Sequence, residues 1–215
     1  PRPISSAASD VYKRQLTTSP EQGSRTTSDA FWSKGTHGET SMTDKYSARM
    51  RRGTHFSFSF VRNPFDRLVS AYNNKILELD EVPGPMQAMG LSHKMDFPAF
   101  LECIAGTVDA AMDVHLLPQS SILCLDGQLI PNFIGRLESM ATDWQQLETC
   151  MKRERLPSLG NLPEKNRRRS DDHSEVSQYF ADPGLVQLVV ERYGDDLDLF
   201  YGNVDLQDLS RGQLS

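Results

Sequence analysis

Alternating aromatic and polar residues mark the first segment of the chain with a clear structural preference. Residues 55–62 read HFSFSFVR, and a period of two is typical of a half-buried β-strand. A helical period follows at once, because Asn63 is a favourable N-cap and Pro64 suits the first helical position. Apolar residues then recur at spacings of three and four: Phe65, Leu68, Val69, Tyr72, Ile76 and Leu79. The pattern predicts a strand, a tight turn and an amphipathic helix.

Downstream of this unit, apolar runs and turn residues predict further elements. Residues 81–90 contain several breakers and are predicted to form a loop, whereas residues 97–106 have the length of a short helix that ends at glycine. Two strand-length apolar runs, at residues 121–125 and 132–138, are separated by the turn pair Asp126-Gly127. These runs predict two strands joined by a turn.

Helical spacing returns in the C-terminal part of the chain. Residues 142–153 predict a helix with Trp144, Leu147 and Met151 on one face, and residues 185–201 predict a last helix. A basic segment, LPEKNRRRS at residues 162–170, interrupts the pattern and is predicted to be a loop. The sequence contains neither an internal repeat nor a heptad run, which excludes solenoid and coiled-coil architectures.

The N-terminal segment has a different composition from the rest. Residues 1–50 are rich in Ser, Thr, Gly, Lys and Arg and show no sustained period, so we predict a disordered or non-native segment. The run SAASDVYKRQ at residues 6–15 resembles translated adapter sequence, from which we expect the native N-terminus to be missing. We therefore predict one folded domain at residues 51–203, followed by a frayed tail at residues 204–215.

Charge and cysteine usage narrow the possible partners. A formal charge of -6 and a pI near 5.4 argue against a protein that binds nucleic acid or an anionic membrane. No apolar run reaches the 18 or so residues of a membrane-spanning helix. The 3 cysteines are widely spaced and form no metal-ligand pattern. An anionic ligand must therefore meet local basic groups.

The junction between the first strand and its helix supplies such groups. Arg62 stands where the strand ends, beside the free N–H groups and positive pole of the helix. The guanidinium can hold two phosphate oxygens, and Ser70, which shares the polar face with Arg67 and Asn74, can donate its hydroxyl to a third. The alternative is an amphipathic helix with an arginine paired to Asp66.

The segment RNPFDRLVSAYNNK, residues 62–75, resembles the 3′-phosphate-binding motif of sulfotransferases that use 3′-phosphoadenosine 5′-phosphosulfate. The resemblance is in particular to Golgi carbohydrate sulfotransferases of the chondroitin, dermatan and HNK-1 type. The motif's arginine and the serine eight residues later contact the donor's 3′-phosphate in that family, and they map onto Arg62 and Ser70. Asn63 and Arg67 lie within the same motif. The resemblance implies a donor-binding set of Arg62, Asn63, Arg67 and Ser70.

Weaker similarities extend the resemblance over residues 55–203. They comprise VHLLPQSSIL from Val114, FIGRLE from Phe133, LPEKN from Leu162 and the terminal helix around Tyr193. The implied fold is α/β, a P-loop-like sulfotransferase fold with a mainly parallel sheet flanked by helices, incomplete at its N-terminus. The implied donor is 3′-phosphoadenosine 5′-phosphosulfate, the acceptor is a glycan, and no metal is required.

Sulfonate transfer to a hydroxyl needs a base. His115 is the candidate, because histidine is the side chain best suited to accept a proton near neutral pH. The alternative is a packed or substrate-orienting histidine. Arg136 and Glu138 lie two apart on a predicted strand, where they can pair or reach substrate. The basic segment at residues 162–170 is either a cover for the donor or a solvated loop.

The family's other diagnostic element is a strand and a lysine-containing loop that cradles the 5′-phosphosulfate. Residues 33–41, SKGTHGETS, have suitable residue types but no preceding apolar strand, so no such loop is recognised in this sequence. Two functions therefore remain: a carbohydrate sulfotransferase, or a non-catalytic fragment that keeps the 3′-phosphate site. A P-loop kinase is disfavoured, since no GxxxxGK[ST] pattern occurs. The resemblance also implies a location on the lumenal side of the Golgi membrane, through an anchor upstream of this sequence.

Overall fold

The computed structural model describes residues 43–161 and 174–213, together with the backbone of two short strands upstream. The strands are β1 Thr36–His37, β2 Thr40–Ser41, β3 Phe58–Val61, β4 Cys124–Leu125, β5 Gln128–Leu129 and β6 Phe133–Arg136. The helices are α1 Lys45–Met50, α2 Pro64–Ala71, α3 Gly84–Ala88, α4 Phe97–Ala105, α5 Gln119–Leu123, α6 Met140–Arg153, α7 Ser174–Tyr179, α8 Pro183–Tyr201 and α9 Leu206–Ser210. A π-helix, Tyr72–Glu78, continues α2, and a 3₁₀ turn spans Asp109–Ala111.

The chain divides into two compact units, residues 1–61 with 123–163 and residues 62–122 with 164–215. The first unit is built on a parallel pair of strands, β3 and β6, in which Phe58 pairs with Phe133 and Val61 with Arg136. Helix α6 packs against β6. The buried residues at the centre of this layer are Phe60, Trp144, Leu147 and Met151.

The second unit is helical. Helices α4 and α2 both pack against the long helix α8, and α7 and α9 pack against α2. Aromatic rings fill much of the space between these helices, as shown by the edge-to-face contacts of Phe65 with Phe180 and of Tyr72 with Phe97, whose centroids are 4.9 and 5.1 Å apart. Such ring pairs bury a large apolar area in a fixed geometry.

The structure confirms the predicted strand and helix on either side of Arg62. The predicted apolar face, however, extends too far at the end of the helix. Asn63 caps α2 and Pro64 is its first residue. The predicted apolar stripe is buried as far as Ile76, but Leu79 is exposed. The reason is that Leu79 follows the last residue of the π-helix and has extended backbone angles, so it no longer lies on the helical face.

The prediction for residues 121–125 was wrong in part. Residues 119–123 form helix α5, and only Cys124–Leu125 is a strand. The Asp126-Gly127 turn exists, with φ of 50° and 72° at its two residues. It joins Cys124–Leu125 to Gln128–Leu129 in a short hairpin, rather than joining residues 121–125 to 132–138. A five-residue apolar run fits a short helix as well as a strand.

Three segments that were predicted to lack structure contain helices. Helix α3 lies within the predicted loop at residues 81–90, and α1 lies at the end of the segment for which no fold was predicted. Helix α9 lies in the predicted tail, where its Leu209 is buried. Each helix is a single short turn or two, which is too short to give a readable period. The basic segment at residues 162–170 lies outside the described residues.

Candidate functional site

The N-terminus of α2 is closed by its own residues. The Asn63 side chain is fully buried, and its Oδ1 accepts the Phe65 N–H at 3.1 Å. Its Nδ2 donates to Leu209 O at 2.7 Å and to Asp66 Oδ2 at 3.3 Å. The sequence predicted free N–H groups here, but the cap occupies one of them. Asn63 therefore fixes the direction in which the chain enters the helix.

Arg62 precedes this cap and differs from it in being partly exposed. Its backbone is held on both sides by Gln119, because Arg62 N donates to Oε1 at 2.9 Å and Arg62 O accepts from Nε2 at 2.8 Å. Within the described residues, the Arg62 guanidinium makes neither an ion pair nor a hydrogen bond, so the alternative pairing with Asp66 is absent there. A fixed backbone thus carries a guanidinium that is available to a ligand.

Ser70 lies two turns further along α2 and is partly exposed. No residue of the described part of the chain accepts or donates a hydrogen bond at its hydroxyl. The hydroxyl is thus available as a donor on the polar side of the helix. Its contact with a phosphate stays a prediction.

Arg67 was expected on the same polar face, but its side chain is only 6% exposed. Its Nη1 donates to Leu117 O at 2.7 Å and its Nη2 donates to Val114 O at 3.1 Å. Burial lowers the pKa of the guanidinium, while the nearby Tyr193 hydroxyl and Asp196 carboxylate act in the opposite direction. Two carbonyl partners give Arg67 a structural task, which is to fasten the segment before α5 to α2.

The segment before α5 is also fixed from α8. The hydroxyl of Tyr193 is buried and donates to Leu116 O at 2.6 Å. Burial raises the pKa of this hydroxyl, so it remains a donor under ordinary conditions. The loop that carries His115 is therefore held by side chains from two helices.

His115 lies in this loop and is oriented by a carboxylate. Its Nδ1 is 2.8 Å from Asp113 Oδ1, and the same oxygen accepts the His115 backbone N–H at 2.9 Å. The His115 side chain is 28% exposed and that of Asp113 is 8% exposed. This contact fixes the ring and leaves Nε2 without a partner among the described residues. A carboxylate that orients an imidazole favours proton acceptance at the other nitrogen.

The remaining sequence candidates lie outside the unit that contains Arg62 and His115, or outside the described side chains. Arg136 and Glu138 belong to the other compact unit, where the Arg136 N–H donates to Asp143 Oδ2 at 2.6 Å. Residues 162–170 lie outside the described residues, and residues 33–41 are described only as the backbone of β1 and β2. Residues 33–41 had only suitable residue types for a phosphosulfate loop, and the sequence showed no recognisable one.

Gln119, Asp196 and Asp113 were missed as members of the site. Asp196 is fully buried, and its carboxylate accepts the backbone N–H groups of Gln119 at 2.7 Å and Ser120 at 2.6 Å. Gln119 belongs to the Pro-Gln pair of the resembling segment, which was the available signal for it. Asp196 had only its place in the terminal helix pattern.

Two further observations concern ligands and membranes. The part of the chain that the structure describes contains no group of three or more His, Cys, Asp or Glu side chains placed to hold a metal ion. Among its helices, none has the length and apolar content needed to cross a membrane.

A strand that leads into a capped helix, with a partly exposed arginine at the junction and an oriented histidine in the same unit, is an arrangement typical of α/β transferases. The family model described as "Sulfotransferase family" matches residues 6–202. The chain belongs to the sulfotransferase family, a family of transferase enzymes with an α/β fold in which helices flank a parallel sheet. The match begins well upstream of residue 55, where the sequence resemblance started.

Curated relatives agree with this assignment. Carbohydrate sulfotransferase 14 from Homo sapiens is 28% identical over 170 residues, which cover 71% of this chain and 43% of that protein. The protein of the same name from Mus musculus is 27% identical over 170 residues. The chain thus spans less than half the length of these relatives. No solved structure matches significantly.

Proposed function

We propose that this chain binds 3′-phosphoadenosine 5′-phosphosulfate and transfers its sulfonate group to a carbohydrate hydroxyl. The observation that carries the proposal is the Arg62 guanidinium, which has no partner among the described residues and precedes the capped N-terminus of α2 in a member of the sulfotransferase family. A guanidinium binds two oxygens of a phosphate in one plane. Arg62 and Ser70 are assigned to the 3′-phosphate, while Asn63 and Arg67 hold the backbone around it.

His115 is assigned the role of general base. The acceptor hydroxyl oxygen attacks the sulfur, the bond between sulfur and the 5′-phosphate oxygen breaks, and the hydroxyl proton passes to Nε2. The contact of Nδ1 with Asp113 supports this assignment, because the carboxylate stabilises the ring after it takes up the proton. The products are a sulfated glycan and adenosine 3′,5′-bisphosphate. Positive charge near the leaving phosphate is needed for the same step.

The carbohydrate acceptor rests on the names of the relatives, and the location rests on the motif resemblance. Both are named carbohydrate sulfotransferases, so a glycan is the proposed acceptor. We assign the chain to the lumenal side of the Golgi membrane because residues 62–75 resemble the motif of Golgi carbohydrate sulfotransferases. The donor's 5′-phosphosulfate is assigned to the segment upstream of β3, which the family match includes.

A paired experiment tests the proposal. Calorimetry measures the binding of adenosine 3′,5′-bisphosphate, and a labelled-sulfate assay measures transfer from the donor to chondroitin or dermatan. Binding together with transfer is the expected result. Binding without transfer supports the second candidate, a non-catalytic fragment that keeps the 3′-phosphate site. Absence of binding contradicts both.

A further inference from the structure

Gln119 is joined to Arg62 by an unusual contact for a side-chain amide. Its two ends bind the N–H and the C=O of one and the same residue, at 2.9 and 2.8 Å. The amide thus takes the place that a neighbouring strand would take in a sheet, and both peptide groups of Arg62 are fixed. Gln119 itself is 3% exposed, so water competes little for these bonds.

Asp196 fixes Gln119 in turn. Its Oδ2 accepts the backbone N–H of Gln119 at 2.7 Å, and it lies 3.4 Å from the side-chain Nε2 of the same residue. Its Oδ1 accepts the Ser120 N–H at 2.6 Å. A fully buried carboxylate is retained only where several donors stabilise it. The three residues therefore form a buried chain of hydrogen bonds that ends on the Arg62 backbone.

We propose that Gln119, held by Asp196, is a positioning residue that presents the Arg62 guanidinium to the 3′-phosphate of the nucleotide. The inference rests on the proposed function. A long side chain such as arginine loses conformational freedom when it binds, and a fixed backbone at its base reduces the number of arrangements that must be given up. The buried hydrogen bonds from Asp196 through Gln119 thus fix the backbone of the partly exposed Arg62.

The test compares two nucleotides that differ only in the 3′-phosphate. Calorimetry measures the affinities of adenosine 3′,5′-bisphosphate and adenosine 5′-monophosphate for the full chain and for its Gln119→Leu variant. We expect the wild-type chain to prefer the bisphosphate by tenfold or more, and the variant to lose most of this preference. In the double variant with Arg62→Ala the preference should fall no further, because both changes remove the same interaction.

A matched control separates positioning from general loss of stability. Gln187 lies on the exposed side of α8, where its amide donates to Glu191 Oε1 at 2.9 Å, so Gln187→Leu should keep the wild-type preference. If Gln119→Leu does not fold, Gln119→Asn takes its place, because it keeps the amide but shortens the side chain. This variant should also lose the preference for the bisphosphate.

Three outcomes distinguish the positioning role of Gln119 from the proposed function on which it rests. A Gln119 variant that keeps the wild-type preference, or that weakens both nucleotides by the same factor, overturns the positioning role alone. A wild-type chain that shows no preference for the bisphosphate overturns the proposed function and the inference together. Loss of the preference in the Gln119 variants, with retention in Gln187→Leu, supports both.

Discussion

His115 receives its orientation from a residue that is more deeply buried than itself. Asp113 Oδ1 contacts both the ring Nδ1 and the backbone N–H of His115. If Nε2 accepts the proton of the acceptor hydroxyl, removing the ring removes the base but leaves the nucleotide contacts in place. His115→Ala should therefore lower kcat by about 100-fold or more, the usual range for loss of a general base.

The measurement for His115 is the labelled-sulfate assay, with calorimetry on adenosine 3′,5′-bisphosphate as the control. The nucleotide affinity should stay within about twofold of the wild type. An unchanged kcat contradicts the role of base. A fall in kcat with an equal fall in nucleotide affinity assigns His115 to binding.

The contribution of Asp113 to the stability of the fold should depend on pH. Burial alone would raise the pKa of this carboxyl, but the hydrogen bonds from the His115 ring and backbone outweigh it and lower the pKa below its ordinary value of 3.8. A carboxyl whose pKa is lower in the folded state stabilises the fold above the ordinary pKa and loses this contribution as pH falls through the folded value. Asp113→Asn should therefore destabilise the chain at neutral pH, by about 1 kcal/mol.

Urea denaturation at several pH values measures this effect. The difference in the free energy of unfolding between wild type and Asp113→Asn should shrink as the pH falls below 3.8. Asp198, an exposed carboxylate on α8, provides the control, and Asp198→Asn should show no such change. A difference that persists unchanged through the acidic range contradicts the account of Asp113.

Single residues of the site were predictable where a local motif surrounds them. The contiguous motif at residues 62–75 was enough to select Arg62, Asn63 and Ser70. Asp196 is 77 positions from Gln119, and nothing periodic connects two polar residues at that distance. Their contact follows from the packing of α8, which local sequence does not encode.

At the scale of elements, the parallel pair of β3 and β6 depends on a glycine. A methyl group at Gly135 would lie 2.7 Å from Phe60 Cδ1 and closer still to Cε1. The Phe60 ring cannot easily give way, because it stacks on Trp144 with centroids 6.3 Å apart. Gly135→Ala should therefore destabilise the first unit by about 1–3 kcal/mol through overpacking.

Urea or thermal denaturation followed by tryptophan fluorescence measures this change, since Trp144 reports on the same layer. Gly53 gives the matched control, because a methyl group there meets nothing within 4 Å. Gly53→Ala should be close to neutral. A Gly135→Ala variant as stable as Gly53→Ala would show that the strand and its aromatic layer adjust freely.

Long periodic elements could be predicted and short ones could not. The helices at residues 64–71, 97–105 and 140–153 were predicted because their apolar faces repeat over at least two turns. The short helices α3, α5 and α9 were not, since five residues contain barely one repeat. The π-helix was also missed, because its wider turn has no sequence signature at this length.

At the scale of the whole molecule, the chain belongs to the sulfotransferase family. The family match extends over residues 6–202, while the chain covers 43% of the human relative's length. The described residues contain the arginine, serine and histidine assigned to the reaction. The proposed 3′-phosphate site is argued from side chains that the structure describes. The proposed 5′-phosphosulfate site lies upstream of β3 and is argued from the extent of the family match.

The central claim is that Arg62 binds a nucleotide 3′-phosphate, and calorimetry with adenosine 3′,5′-bisphosphate tests it most directly. A charge-assisted hydrogen bond contributes about 1.5–3 kcal/mol, so Arg62→Ala should weaken binding by roughly tenfold to a hundredfold. Arg153→Ala, at an arginine that is 74% exposed, should leave the affinity unchanged. The predicted result is an affinity that falls in Arg62→Ala and stays at the wild-type value in Arg153→Ala. An Arg62→Ala variant that binds the bisphosphate as tightly as the wild type contradicts the account.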